Sequence, residues 1–581
     1  MPCNYLYDVV AHEPLLQDTT LHLARELLES GKVEDSLAFC STVLKKEPRN
    51  LFALALSADC FNYYDRKLDA LIFLQGSKSA QPDCQIMHIA VAHQLQLMER
   101  YEEANHILEN ILDNNRHSAL IREYLAHTYC NRHQFHEALL ILEPLLPNPI
   151  EERISHQVIQ ILLNIDRLEE AIDYALHAYK QNKSIENLLI LANCYQSNSQ
   201  PELASQTLLQ ASSLYPDNES LFVQSVSALF DLGSNKLAWD LIHQSPFLND
   251  GGSLFKFGLG HQYLLEGDYE NGFEYYSYGI ELTYKDYKQD QFTTWNGQSL
   301  CGKDIIVVAL DHDIRDILLF SRYLSPLFSE AKQVIALVQP YMARFFRCIN
   351  NDISVHVDIE LVKSISDVNT IWLPISKLPL RFNPTPATPL KVESNDKLLP
   401  AIHMTDKRNF SSLTQSNSFP KVGFALNNPN FTQGVSHFKT RVEPSIALKP
   451  FKGLPINLIE LDSDQSFADV INKDACSYSN YLCLESPREI YHSAVLLNHL
   501  DLLITSDHPY AFLGAMMGIK TIAIIPPNPH FMFMREGNIS PWFDSIDIIR
   551  SNSWVDFASI SAAYEAKIDS LLITLLSDSG K

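Results

Sequence analysis

Apolar residues in the first half of the chain recur at helical spacing, and above that rhythm lies a longer one. The segments EDSLAFCSTVLKKEP, KLDALIFLQGSKSAQP, YEEANHILENIL, FHEALLILEPLL, RLEEAIDYALHA, PELASQTLLQASSLYP, NKLAWDLIHQ and YENGFEYYSYGI align on one small residue each. These are Ser36, Ala70, Ala104, Ala138, Ala171, Ala204, Ala238 and Gly272, spaced by 33 or 34 residues. Twelve positions earlier most repeats carry a second small residue: Ala24, Ala58, Ala92, Ala126, Ala192 and Gly260. Small residues at that offset on successive helices let an antiparallel pair cross closely, and such pairs stack on their neighbours. The pattern predicts eight helix pairs over roughly residues 15 to 285. Ile159 and Val226 take the earlier small position in the fifth and seventh pairs, which predicts looser or shifted packing there.

After Tyr287 the period changes. Seven short β-rich runs, at 304–310, 333–339, 422–426, 456–461, 501–505, 521–526 and 546–550, are separated by helical stretches. Continuously apolar strands alternating with helices predict a parallel sheet covered on both faces. A Pro-, Ser- and Asn-rich stretch at 379–420 reads as the connection between two α/β lobes. The organisation expected is repeats over 1–289, a first lobe over 290–400, a connection over 401–420 and a second lobe over 421–581.

Composition narrows the partners. The chain has 581 residues, 69 of them acidic and 45 basic, giving a net charge of -24. That balance argues against nucleic acid or an anionic membrane as the main partner. Ten cysteines without a C-x-x-C pair point to a reducing, cytoplasmic setting rather than to a disulfide framework or a zinc ribbon. The opening MPCNYLYDVVAHEPLLQ has no basic-then-apolar leader pattern, and no apolar run reaches the roughly 20 residues that span a bilayer. His93, His106, His127, His133 and His136 fall on different faces of different helices, so they read as surface or capping histidines and no metal site is expected.

The repeat pattern, with Pro48, Pro82 and Pro216 closing three units, resembles the tetratricopeptide repeat (TPR). In order along the chain, GHQYLLEGDYENGFEYYSYGIEL, WNGQSLCGKDIIVVALDHDIRDILLFSRYLSPL, WLPISKLPL, KVGFALNNPN, LDLLITSDHPYAFLGAMMGIKTIAIIP and ISPWFDSIDIIRSNSW resemble bacterial tetratricopeptide proteins. In those relatives the C-terminal half is a two-lobed GT-B glycosyltransferase, similar to heptosyltransferases and more distantly to O-GlcNAc transferases. The resemblance implies a TPR superhelix followed by twin Rossmann-like lobes. It also implies a nucleotide-sugar as donor substrate with no further cofactor, and a protein acceptor held as an extended peptide in the repeat groove.

The same resemblance assigns roles. Asp316 matches the acid that serves as base, and Asp311 stands for a glutamate. Asp313 and Arg315 replace two glycines of the family loop, and Arg315 is then a phosphate ligand. Asp316 at the start of a helix is equally a helix cap. In the second lobe Asp507, Leu513 and Gly518 match, Phe512 stands at a histidine position, and Pro509 removes one amide from the anion site. His508 is either a phosphate donor or an exposed loop histidine. Asn427 and Asn428 are either sugar or nucleotide ligands or turn residues before Pro429, after Ala425 in place of a tryptophan. Lys439 and Arg441 are the basic candidates downstream, Arg535 is left as the pyrophosphate partner, and Trp542 reads as a packing residue. With so many signature positions changed together, a catalytically inactive scaffold stands beside the transferase reading.

Overall fold

The computed structural model describes residues 19–80, 82, 84–114, 118–132, 134–146, 152–198, 200–279, 293–310, 312–350, 352–366, 369–382, 419–426, 444–461, 467–473, 478, 480–484, 489–551 and 560–578. The chain divides into two compact units, Met1–Asn198 and Ser199–Lys581. Among the described residues no helix is long and apolar enough to cross a membrane.

The first unit is a helical repeat array. Its pairs are Thr19–Glu29 with Val33–Lys46, Leu51–Tyr63 with Lys67–Ala80, Gln85–Leu97 with Tyr101–Asn114, Ala119–Asn131 with Phe135–Leu142, and Glu152–Asn164 with Leu168–Gln181, followed by Ile185–Ser197. The two small positions meet as the spacing requires. Ser36 donates its hydroxyl to the Ala24 carbonyl at 2.7 Å, and Ala58, Ala70, Ala92, Ala104, Ala126, Ala138 and Ala171 are all buried. Ile159 is buried as well, so the fifth pair accommodates a branched side chain inside its core. Asn50, Ser118 and Ser184 cap first helices by accepting from the backbone N–H three residues on. Polar side chains link successive first helices: Asn62 and Gln94 exchange two amide hydrogen bonds of 2.8 Å, and His156 Nε2 lies 2.7 Å from Asn187 Oδ1.

The turn inside four of these pairs imposes a requirement that the small-residue pattern does not reveal. Five residues before the aligned small position the backbone enters the left-handed region, at Gly31 with φ 79°, Asp65 with 56°, Glu99 with 60° and Asp166 with 63°. Glycine fits there without strain, whereas the three acidic residues hold a conformation that side chains disfavour.

The second unit starts with Pro201–Leu214, the pair Glu219–Asp231 and Asn235–Gln244, and the pair α1 (Ser253–Glu266) and α2 (Tyr269–Tyr276). Two sheets follow, and every strand pairing in them is parallel. The first contains β1 (Thr293–Thr294), β2 (Asp304–Val308), β3 (Gln333–Leu337), β4 (Ser354–His356) and β5 (Thr370–Pro374), in the order β1-β5-β2-β3-β4. The second contains β6 (Lys421–Ala425), β7 (Asn457–Glu460), β8 (Asn480–Cys483), β9 (Leu502–Thr505), β10 (Thr521–Ile525) and β11 (Ile546–Arg550), in the order β11-β10-β9-β6-β7-β8. Within β2, Ile305 and Val307 enter one apolar cluster and Ile306 and Val308 another, so both faces are covered. Likewise Leu503 of β9 faces one cluster while Leu502 and Ile504 face another.

One cluster is common to both sheets and the last repeat pair. It joins Ile305 and Val307, Leu503 and Ala523, and Leu264, Tyr269, Phe273 and Tyr276. The pair α1 and α2 approaches closely because glycine sits at both small positions. A Cβ on Gly260 would lie 2.2 Å from the Tyr276 nitrogen, and one on Gly272 would lie 2.6 Å from the Leu264 side chain. That close crossing brings the Tyr276 ring under the α/β layer.

Candidate functional site

The loops that follow β2, β9 and β10 converge on one buried cluster at the carboxyl ends of the strands. After β2 the chain turns into α3 (Ile314–Phe320), and after β9 into α4 (Pro509–Met516); the two helices pack on each other. The N-cap of α3 is Asp313, which accepts from the Arg315 backbone N–H at 2.8 Å. Asp316 is therefore not the cap. It is the third helical residue, within the first turn, where its carboxylate points into the interior and is 4% exposed.

Asp316 is bonded from two sides. The Tyr276 hydroxyl donates to Oδ2 at 2.7 Å, and His530 Nε2 lies 2.9 Å from Oδ1. His530 Nδ1 accepts from the Met532 N–H at 3.2 Å, which assigns the proton to Nε2 and makes it the donor to Asp316. The imidazole is wedged between Phe512, at 4.8 Å edge-on, and Phe531, at 4.2 Å. Burial, and then the Asp316 charge, push the Tyr276 hydroxyl well above the ordinary tyrosine range, so it stays protonated and remains a donor.

Arg315 is committed in the same way. Its Nε and Nη2 grip Asp313, with Nη2 at 2.7 Å, and its Nη1 lies 3.0 Å from Asp507 Oδ1. The second Asp507 oxygen accepts from the His530 backbone N–H at 2.7 Å. Burial alone would pull the Arg315 proton affinity down, but Asp313 and Asp507 raise it well above the usual arginine value. For Asp313 the burial penalty is likewise outweighed by Arg315, and its carboxyl is held below the ordinary range.

Two further histidines lie here, His508 buried and His261 partly exposed. His508 is not an exposed loop residue: it caps α4, its Nδ1 accepting from the Tyr510 N–H at 3.0 Å, while Pro509 occupies the first helical position. Burial, with Arg315 nearby, lowers its pKa to about 3. His261 of α1 is lowered to about 3 by burial and by His530, Arg535 and Arg315. Both imidazoles are neutral in the folded protein.

Arg535 lies away from this cluster. Its guanidinium bonds Glu266, Gln262 and Asn235 and sits over the Phe230 ring at 4.8 Å, all on repeat helices. It thereby fastens the loop after β10, as does Asn528, which donates to Asp231 at 3.0 Å and lies 3.3 Å from the Gln262 amide. Arg550 clamps the same loop through the carbonyls of Phe533, Met534, Glu536 and Gly537. Trp542 is buried against Tyr269 and Phe273. Asp311, His133, Asn427, Asn428, Lys439 and Arg441, and nearly all of the 379–420 connection, lie outside the described residues. His93, expected at the surface, is buried with its ring 6.1 Å from Tyr124, whereas His106 and His136 are exposed. Among the described residues no group of three or more His, Cys, Asp or Glu side chains is arranged to hold a metal ion.

The structure brings Arg315, Asp316, Asp507 and His508 together with Asp313, which the sequence placed only in a glycine position, and with Tyr276 and His530, which the sequence reading did not single out. The available signal was the position of His530, a polar residue just past the carboxyl end of an apolar strand, where ligand and cross-linking groups collect.

No protein-family model matches the chain, and no curated protein matches it. Several solved tetratricopeptide proteins share similarity over part of its length. PilF of Pseudomonas aeruginosa is 18% identical with a TM-score of 0.28, over 35% of this chain and 92% of that one. A tetratricopeptide repeat protein from Parabacteroides merdae is 14% identical with a TM-score of 0.31, over 40% and 93%. YrrB, described as having an unusual peptide-binding site, is 16% identical with a TM-score of 0.24, over 31% and 93%.

Proposed function

We propose that the protein is an interaction module. Its repeat array grips an extended segment of a partner protein, and its α/β half, which resembles a two-lobed GT-B glycosyltransferase, acts as a folded platform without turnover. A stack of helix pairs linked by side-chain amides presents the kind of surface that holds extended peptides. What carries the second half of the reading is the state of Asp316. A general base must reach the proton it removes, and this carboxylate is buried with one oxygen on Tyr276 and the other on His530. Arg315, the phosphate ligand of the alternative, spends its donors on Asp313 and Asp507.

The alternative is transfer of a sugar from a nucleotide donor to a protein held by the repeats, with Asp316 as base and Arg315, Asp507 and His508 around the diphosphate. It is favoured by the meeting of these residues at the carboxyl ends of β2 and β9, where open parallel sheets place their ligands. Calorimetric titration with UDP-, GDP- and ADP-sugars separates the two. The platform reading predicts no binding heat; binding, together with a sugar-sized mass increase on an acceptor that Asp316→Ala abolishes, overturns it.

A further inference from the structure

A second buried charge lies apart from the Asp316 cluster, and it lacks the partners that Arg315 has. Arg322 sits in the single 3-10 turn Ser321–Tyr323 that continues α3, and it is 6% exposed. Its guanidinium lies over the Phe543 ring at 4.6 Å and the Trp542 ring at 5.6 Å. Among the described residues the one hydrogen bond it makes is from Nη2 to the Trp542 carbonyl at 3.5 Å, the limit of useful length, and Nη1 is buried without an acceptor there. Among the described residues no carboxylate pairs with it. Two more donors in the same aromatic cluster are in the same condition: the indole N–H of Trp542, 4% exposed, and the hydroxyl of Tyr323, 0% exposed, are buried and unpartnered. Tyr269 lies beside Trp542, with ring centroids 5.5 Å apart, and Phe382 stacks on Tyr323 at 5.9 Å.

Folded proteins pair nearly all of their buried polar groups, and a buried charge in particular. Here, among the described residues, one guanidinium N–H group, an indole N–H and a phenol lack an acceptor. We propose that Arg322, Trp542 and Tyr323 form a binding site for a small oxyanion, a carboxylate or phosphate group, entering past the partly exposed Phe543 and Phe382. The donor set selects the class. Arginine offers a planar pair of N–H groups that matches two oxygens of one anion, and the indole N–H can only donate. The aromatic walls exclude water and strengthen the pairing.

The test is scanning calorimetry of the full chain at constant ionic strength, with inorganic phosphate and acetate titrated separately. One of the two anions is expected to raise the transition of the 199–581 unit by roughly 3 °C at a hundred-fold excess over its dissociation constant. Arg322→Met removes that rise. Trp542→Phe, which keeps an aromatic ring and deletes one donor, weakens the anion at least several-fold, so the inference stays testable should the arginine variant fold poorly. Absence of a rise with both anions, or an equal rise in wild type and Arg322→Met, overturns the proposal.

Discussion

The hydroxyl of Tyr276, the last residue of the final repeat helix, donates to Asp316 Oδ2 at 2.7 Å, on the first helix after β2. One hydrogen bond therefore ties the repeats of the second unit to its first sheet, and His530 ties the second sheet to the same carboxylate. Deleting only the hydroxyl, Tyr276→Phe, is expected to destabilise the unit by about 1–3 kcal/mol, because the buried Asp316 carboxylate loses a donor. Denaturant unfolding measures it, and an unchanged midpoint would show the bond to be idle.

The Tyr276 position depends on Gly260. A methyl group there would lie 2.2 Å from the Tyr276 nitrogen, a backbone atom that moves only with its helix. Gly260→Ala is expected to destabilise by roughly 2–3 kcal/mol despite alanine's better helix propensity, since overpacking outweighs the propensity gain. An exposed helical glycine such as Gly76, where an added Cβ meets nothing within 4 Å, is the control. Gly76→Ala should stabilise by roughly 0.5–1 kcal/mol.

The strained turns of the first unit predict the opposite sign. Glu99 and Asp166 hold φ of 60° and 63° where the first repeat has glycine. Glu99→Gly and Asp166→Gly should each be neutral or stabilising by up to about 1 kcal/mol, relief of strain being partly offset by the entropy of glycine in the unfolded chain. Thermal melts of the single variants decide the sign, and a clear loss of stability would mean that the carboxylates do more at these turns than fill them.

Histidines 261 and 508 give the second unit an acid limit. Both are neutral in the fold with pKa values lowered to about 3, while in the unfolded chain they bind protons below the ordinary value near 6.5. Between those values the unfolded state carries more protons, so stability falls as pH falls, by roughly 1.4 kcal/mol per pH unit for each histidine. Asp313 acts at lower pH in the same direction. Its depressed carboxyl contributes above the ordinary aspartate range and is lost as pH drops through its folded value. Melting temperatures from pH 7.5 to 5 should be level at first and then fall below about 6.5. A flat profile to pH 5 contradicts the lowered pKa values of these two imidazoles.

Much of this fold is legible in the chain. The 33- or 34-residue spacing of Ser36 through Gly272 places the helix pairs, because close crossing favours small side chains and so writes itself into the sequence. The seven apolar runs are all strands. The strands that periodicity misses have local reasons. Thr293–Thr294 is a two-residue exposed edge, Ser354–His356 and Asn480–Cys483 are short edge strands that are not fully buried, and Thr370–Pro374 ends in a proline. The site was legible only in part. Three acids occur within DHDIRD, and backbone geometry rather than composition selects Asp313 as the cap and turns Asp316 inward. Tyr276 and His530 reach Asp316 from 40 and 214 residues away, a pairing no local pattern encodes.

Unfolding of Asp316→Ala beside wild type addresses the central claim most directly. A carboxylate that cross-links Tyr276 and His530 leaves two buried donors unpaired when it is removed, and the second unit should lose roughly 3–5 kcal/mol. A carboxylate held ready for catalysis is a strained feature whose removal leaves stability unchanged or raises it. The account predicts the loss; an equal or higher midpoint for Asp316→Ala would contradict it.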